Sequence, residues 1–269
     1  MPIIVNKQLE LEKTNQYRLS IQADLNGFSF SIVNDELRKC HFLYQSEFGA
    51  GEDIELFNKS LLKLTEGFPL LSRKFAKVDV IVNTHKYALV PLKLFREEDA
   101  WQQLKQLHLP DEYEEIDHAV LESQQIAFVF AANSTFLNII KKIQPQFRVF
   151  PSIFPIIRNT GLFPEHNKIF VQYHKGNIHV IITEGNRLLF CNSYPAIHFN
   201  TALYFIFLAL KQTQLNQEQT TLFTSGNFRD EEIYNLTKYF PKVRFFRHPS
   251  IPLGPQEIEM KYAPLVFPL

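Results

Sequence analysis

Asp24–Cys40, DLNGFSFSIVNDELRKC, and Tyr173–Cys191, YHKGNIHVIITEGNRLLFC, are two copies of one pattern, and that pattern decides the fold. Each runs as a strand end, a tight turn, an apolar strand, a second turn and the opening of a third strand. In the first copy Tyr17–Leu25, Gly27–Val33 and Glu36–Phe48 supply the strands, and Asn26-Gly27 and Asn34-Asp35 supply the turns. In the second, KIFVQYH from Lys168, then NIHVIIT and NRLLFCNSY, repeat the antiparallel meander, with Gly27 set against Gly176 and Cys40 near Cys191.

Outward from each meander, strands and helices alternate. After Gly49-Ala50-Gly51, residues 53–66 space Ile54, Phe57, Leu61, Leu62 and Leu64 at helical intervals, leaving Glu55, Lys59 and Lys63 for water. Strands follow at 78–82 and 87–90, a helix carrying Trp101 at 97–107, and a strand at 124–132. A helix at 134–143 takes Ser134 as its N-cap. A strand at 147–150 and a helical turn at 152–159 lead to Gly161. This alternation predicts a largely parallel remainder to the sheet. The second copy continues with a helix at 197–212, the strand TTLFTS, a helix at 231–240 and the strand VRFFRH. The reading is α/β: two lobes, 1–163 with an inserted segment around 83–123, and 164–269 with a proline-rich tail.

Composition narrows the function classes. Hydrophobic residues make up 45% and charged residues 21% of the 269, which is globular composition. The 28 basic and 28 acidic residues cancel, so no overall field draws nucleic acid or an anionic membrane. Met1–Gln16 lacks a signal-peptide core, and the longest apolar run, Ala202–Leu210, falls far short of the ~20 residues a membrane span needs. Two distant cysteines, Cys40 and Cys191, fit a reducing, cytoplasmic setting, where the sequons at Asn58, Asn133 and Asn235 carry no sugar.

A meander, a helix and further alternating strands and helices, occurring twice, resembles the ribonuclease-H-like lobes of the actin, Hsp70 and sugar-kinase superfamily. Within it the resemblance is to the actin-like component of type IV pilus assembly and the cytoplasmic part of the related type II secretion component. KYALVPLKLFREEDAWQQLKQLH, IAFVFAANSTFLNIIKKIQPQFRVFPSIFPIIRNTG and KIFVQYHKGNIHVIITEGNRLLFCNSYP carry it. The match is one of pattern, and it also suggests an uncharacterised bacterial family with this fold.

The resemblance implies that each lobe's first hairpin touches nucleotide phosphate. Asp24, Asn26 and Gly27 resemble the first such turn, although the same residues are what any tight turn selects. At the second turn Gln172, Tyr173 and His174 stand where an acid is expected, before Gly176. Ala196-Ile197-His198-Phe199 replaces a glycine pair. On the adenine side Ser225 and Gly226 follow Thr224, with Asn227 in place of a second glycine.

Two functions stay open. One is a degenerate actin-like scaffold, a pseudo-ATPase that binds other proteins and holds Mg-ATP or ADP at most without turnover. The other is an ATPase or phosphotransferase in which Asp24 organises metal and Gln172 or His174 replaces the missing acid. The carboxylate cluster of a two-metal nuclease is missing, as are a Walker A loop, a Gly-x-Ser-x-Gly elbow and a Gly-x-Gly-x-x-Gly fingerprint. Asp111–Asp117, DEYEEID, reads as a solvated loop or helix start. His174 and His179 are placed on different sheet faces, and adjacent Cys40 and His41 point to opposite sides, so neither pair reads as a site. The tail, 248–269, reads as an extended arm without regular helix, packed on its own lobe or donated to another chain as a homo-oligomer contact.

Overall fold

Strands joined by short turns pair with their sequence neighbours, and this rule builds both sheets of the computed structural model, which describes residues 3–24, 27–48, 54–174 and 176–269. In the first unit, Met1–Ser152 with Pro268–Leu269, the strands β1 (Ile3–Asn6), β2 (Arg18–Asp24), β3 (Gly27–Asn34) and β4 (Lys39–Glu47) are followed by helix α1 (Ile54–Gly67). This helix buries Phe57 and Leu61 and returns the chain to β5 (Lys77–Val82), parallel to β2.

Next come β6 (Tyr87–Pro91), α2 (Ala100–Lys105), β7 (Glu114–Leu121), β8 (Ile126–Asn133), α3 (Ser134–Ile143) and β9 (Arg148–Pro151). The main sheet runs β1-β4-β3-β2-β5-β9, and β6-β8-β7 form a separate three-stranded sheet.

That second sheet corrects the expectation of a largely parallel remainder: β5 and β9 are parallel, but β6, β7 and β8 are antiparallel. The cause is the tight 122–125 connection, closed by Gln125 at φ 54°, because a hairpin can only return a strand antiparallel. The inserted sheet has its own core of Ala88, Ala100, Leu104, Val129 and Ala131. Four of the seven residues of the acidic run, read as a loop or helix start, are strand: residues 114–117 open β7, an edge strand. The cap of α3 is Asn133, whose Oδ1 accepts from Phe136 N at 2.8 Å, and Ser134 is the first helical residue.

The second unit, Ile153–Phe267, contains α4 (Phe154–Arg158), β10 (Asn167–His174), β11 (Gly176–Glu184), β12 (Arg187–Ala196), α5 (Phe199–Thr213), β13 (Thr221–Gly226), α6 (Asp230–Thr237), β14 (Lys242–Phe245) and α7 (Gln256–Tyr262). Its sheet order, β12-β11-β10-β13-β14, repeats β4-β3-β2-β5-β9 of the first unit.

Alternation along β10 sends Ile169 and Val171 to one face, against Ala202, Ile206 and Ala209 of α5. It sends Phe170 to the other, where it stacks on Phe223 at 4.9 Å within a group that includes Phe163 and Phe246. The tail does form a helix. Pro255 precedes α7 and Pro264 follows it, so neither ring displaces a helical N–H. Ile251, Leu253, Met260, Leu265 and Phe267 are buried.

Strand register equates the two units residue by residue. Asp24 pairs with Gly27 and Ala23 with Val82 in the first; His174 pairs with Asn177 and Tyr173 with Gly226 in the second. Asp24 therefore corresponds to His174, Gln22 to Gln172, Arg18 to Lys168 and Val82 to Gly226. Gly27 corresponds to Asn177, one place beyond the Gly176 that sequence similarity suggests.

Arg18 and Lys168 are both buried cations at the start of a first strand, and both hold the turn of the following hairpin. Arg18 Nε and Nη2 donate to the Asp35 carboxylate at 3.0 and 2.9 Å. Lys168 Nζ donates to the carbonyls of Phe163, Glu165 and Gly185 at 3.1, 2.8 and 2.7 Å.

Candidate functional site

The first hairpin brings Asp24 and Gly27 into one pair at its end, while Asn26 lies outside the described residues. Gly27 is required by the sheet itself. A Cβ there would stand 2.5 Å from Ser46 O on β4, so the missing side chain lets β3 and β4 close on each other.

In the second unit Gln172, Ser225 and His179 are direct partners across three adjacent strands, and Ser193 faces His179 from β12. Residues paired across strands share a face, and His174 lies two residues from Gln172. His174 and His179 therefore share a face, which corrects the sequence reading. The two-residue turn reverses the parity that counting along the chain suggests.

The row Ser193, His179, Gln172 and Ser225 is polar and contains no carboxylate. His179 Nδ1 contacts Ser193 Oγ, and Ser225 Oγ donates to Met260 O at 3.3 Å. Gln172 is 1% exposed and its Oε1 has no hydrogen-bond partner among the described residues.

The remaining glycines differ in cause. Gly226 has φ +93°, and a Cβ there would overlap Tyr173 O and lie 3.1 Å from its carbonyl carbon, so its shape serves the β10–β13 pairing. Asn227 N then donates to Tyr173 O at 2.7 Å. Gly176 has φ +92° with nothing within 4 Å of an added Cβ. Ala196 ends β12 opposite Gly176, and Ile197 beyond it is 77% exposed.

A metal-nucleotide complex asks for carboxylates to hold the cation or its waters. Gln172, His174, His179, Ser193 and Ser225 contain none, so the second hairpin does not fit that group. Among the described residues no set of three or more His, Cys, Asp or Glu side chains is placed to hold a metal ion.

A concavity in the first unit escaped the sequence reading. It is a cleft of about 630 Å³, with Glu115 and Asp117 on β7, Leu137 and Lys141 on α3, and Phe147 and Arg148 at the start of β9. Burial pushes the Asp117 carboxyl above its ordinary range, against the pull of the His118 backbone N–H at 2.7 Å.

Arg148 is fixed at the rim. Its Nε and Nη2 donate to Asp79 Oδ1 at 3.0 and 2.6 Å, and Nη2 reaches Leu269 O at 2.9 Å. Asp79 is fully buried and its Oδ2 has no hydrogen-bond partner among the described residues; burial pushes its carboxyl up, with Arg148 opposing. The acidic run at 111–117 was the one sequence signal near this cleft.

Two units, each ordering its meander strands third, second, first and then adding two parallel strands, define the actin-like ATPase fold. The chain belongs to the family described as protein of unknown function (DUF3822), whose sequence profile matches residues 6–243. It is similar to a Bacteroides thetaiotaomicron protein with actin-like ATPase fold and unknown function: 23% identity, TM-score 0.81, covering 96% of this chain and 98% of that one. It is also similar to a chain of the PilM–PilN type IV pilus biogenesis complex: 13% identity, TM-score 0.60, covering 93% and 96%. At these identities the likeness establishes the fold. No curated protein matches the chain. Among the described residues no helix is long and apolar enough to cross a membrane.

Proposed function

We propose that this chain is a non-hydrolytic actin-like docking module that holds an extended segment of another protein in the cleft between β7 and β9. One observation carries the reading. Both walls of the cleft are sheet edges: β9 ends the six-stranded sheet and β7 ends the three-stranded one. An edge strand offers a row of backbone N–H and C=O groups, and a peptide laid along it satisfies them while alternate side chains enter the cleft. Leu137 and Phe147 would receive the apolar ones, and Lys141 and Arg148 the acidic ones.

The PilM–PilN complex, an assembly of a similarly folded chain with another protein, supports docking as a use of this architecture. The carboxylate-free second hairpin supports the non-hydrolytic half of the reading. Neither Cys40 nor Cys191 is in a disulfide, which supports a reducing, cytoplasmic setting.

The test has two arms. Asn138→Trp, at an exposed α3 position lining the cleft, should abolish co-purification of partners captured by the wild-type chain, with the melting midpoint unchanged. In parallel, melting is followed with Mg-ATP and Mg-ADP, since ligand at ~100 times its dissociation constant adds about 2.7 kcal/mol. Steady phosphate release together with a melting shift, both removed by Asp24→Ala, would replace the docking module with an active ATPase.

A further inference from the structure

A second hollow of about 580 Å³ adjoins the cleft, between the approaches to β5 (residues 72–78) and β9 (residues 143–148). Its charged lining is all of one sign: Arg73, Lys74, Lys77 and Arg148, with no acid among the lining residues. In a chain whose 28 basic and 28 acidic residues cancel, this is a pronounced local departure. Among the described residues Lys74 and Lys77 are exposed and form no salt bridge. Arg73 donates to Leu11 O at 2.8 Å and lies 3.9 Å from the exposed Glu12.

Beneath the cations, Phe75 and Val78 are 7% exposed and form an apolar floor. The rim is held in place because buried Gln144 donates through Nε2 to the backbone carbonyls of Leu71 and Arg73. A fixed rim lowers the ordering cost of binding. Residues 145–148 line both hollows, so the cleft and the trough are neighbours sharing one wall. The combined surface is polarised, with Glu115 and Asp117 at the β7 end and the unpaired lysines at the other.

We propose that this trough binds the acidic, apolar-interspersed continuation of the segment docked in the cleft, its carboxylates meeting Lys74 and Lys77 and its apolar side chains lying on Phe75 and Val78. The inference rests on the docking reading and adds to it the partner's chemistry and direction. A peptide is favoured over a bare polyanion because the floor is apolar and the trough adjoins a cleft walled by sheet edges.

The probe is a fluorescein-labelled peptide alternating glutamate and leucine, followed by anisotropy against the full chain. Its lysine–leucine counterpart, inorganic polyphosphate and phosphatidylserine vesicles form the parallel arms. The glutamate peptide should bind and the lysine peptide should not. Lys74→Glu with Lys77→Glu should weaken binding about tenfold or more, without moving the melting midpoint. Undiminished binding by that double variant, or polyphosphate or vesicles binding the trough so that the peptide cannot displace them, overturns the proposal.

Asn138→Trp separates the two readings. Partner capture lost in Asn138→Trp but kept in the lysine double variant sinks the trough and leaves the cleft. The reverse pattern sinks the cleft, and with it the trough's role as the continuation of a cleft-bound segment, leaving only an acidic-peptide site on Lys74 and Lys77.

Discussion

Replacing Gly226 by alanine should destabilise the second unit by about 3 kcal/mol, and the estimate has two separable parts. The residue sits at φ +93°, where an L side chain costs about 1–2 kcal/mol. The new methyl would also overlap Tyr173 O on the neighbouring strand, and overpacking of this kind costs about 1–3 kcal/mol. Two other glycines isolate the parts. Gly176→Ala meets nothing within 4 Å and should show the backbone cost alone, about 1–2 kcal/mol. Gly27→Ala has a Cβ contact of 2.5 Å to Ser46 O without a left-handed φ, so it should show the steric cost alone, in the first unit. Calorimetric and urea melts of the ligand-free protein should rank the losses with Gly226 largest and Gly176 smallest. For a unit near 100 residues, ~3 kcal/mol lowers the midpoint by on the order of 10 °C. A Gly226→Ala variant as stable as Gly176→Ala would refute the structural account and leave room for a ligand as the reason for the glycine.

Lys168→Met should cost about 3–5 kcal/mol, because three buried carbonyls lose their common donor; an unchanged urea midpoint would show that they find other partners. His85 and His108 both have pKa values lowered from 6.5, each first by burial, then by the positive field of Lys86 for His85 and by His85 for His108. The folded state therefore holds these protons less tightly than the unfolded one. Their stability contribution is complete above about pH 6.5 and is lost as the pH falls. The midpoint should drop as the pH falls below about 6.5, and drop less in a His85→Gln, His108→Gln variant; equal slopes would count against the assignment. Burial pushes the Cys40 thiol up to about 12, whereas Cys191 is only partly buried. A thiol reagent should titrate one cysteine quickly in the native protein and the other only on unfolding, and two equal native rates would contradict the burial of Cys40.

What the sequence revealed was local. The meander of each unit follows from alternation and from turn residues such as Asn34-Asp35 and Gly176, which act over two or three positions. What it concealed was decided across the chain or by residues giving no signal. The 122–125 hairpin that splits β6, β7 and β8 into their own sheet uses Gln125 in a left-handed conformation, where glycine or asparagine would have announced it. Proline seemed to forbid α7, yet both prolines stand outside its turns. The face shared by His174 and His179 depends on the parity of the intervening turn. The cleft could not be read from sequence, because it exists only where the edges of two different sheets approach.

The duplication separates frame from chemistry. Arg18 and Lys168 occupy equivalent positions, and both tie the opening of a first strand to the next hairpin turn, one through a carboxylate and one through carbonyls. The partner changes while the cation stays, because a buried strand start beside an unsatisfied turn needs donors in either unit. Gln22 and Gln172 are likewise equivalent. At the hairpin ends the equivalence fails: the first unit presents Asp24 and the second His174. A symmetric hold on a cation and its phosphates needs similar chemistry at both hairpin ends, and an aspartate at one position with a histidine at its equivalent does not provide it. The frame stands without that chemistry, since register, glycine packing and the two cations are all satisfied within each unit. On the docking reading proposed above, the place left for function is the cleft of the first unit, walled by the edge strands β7 and β9.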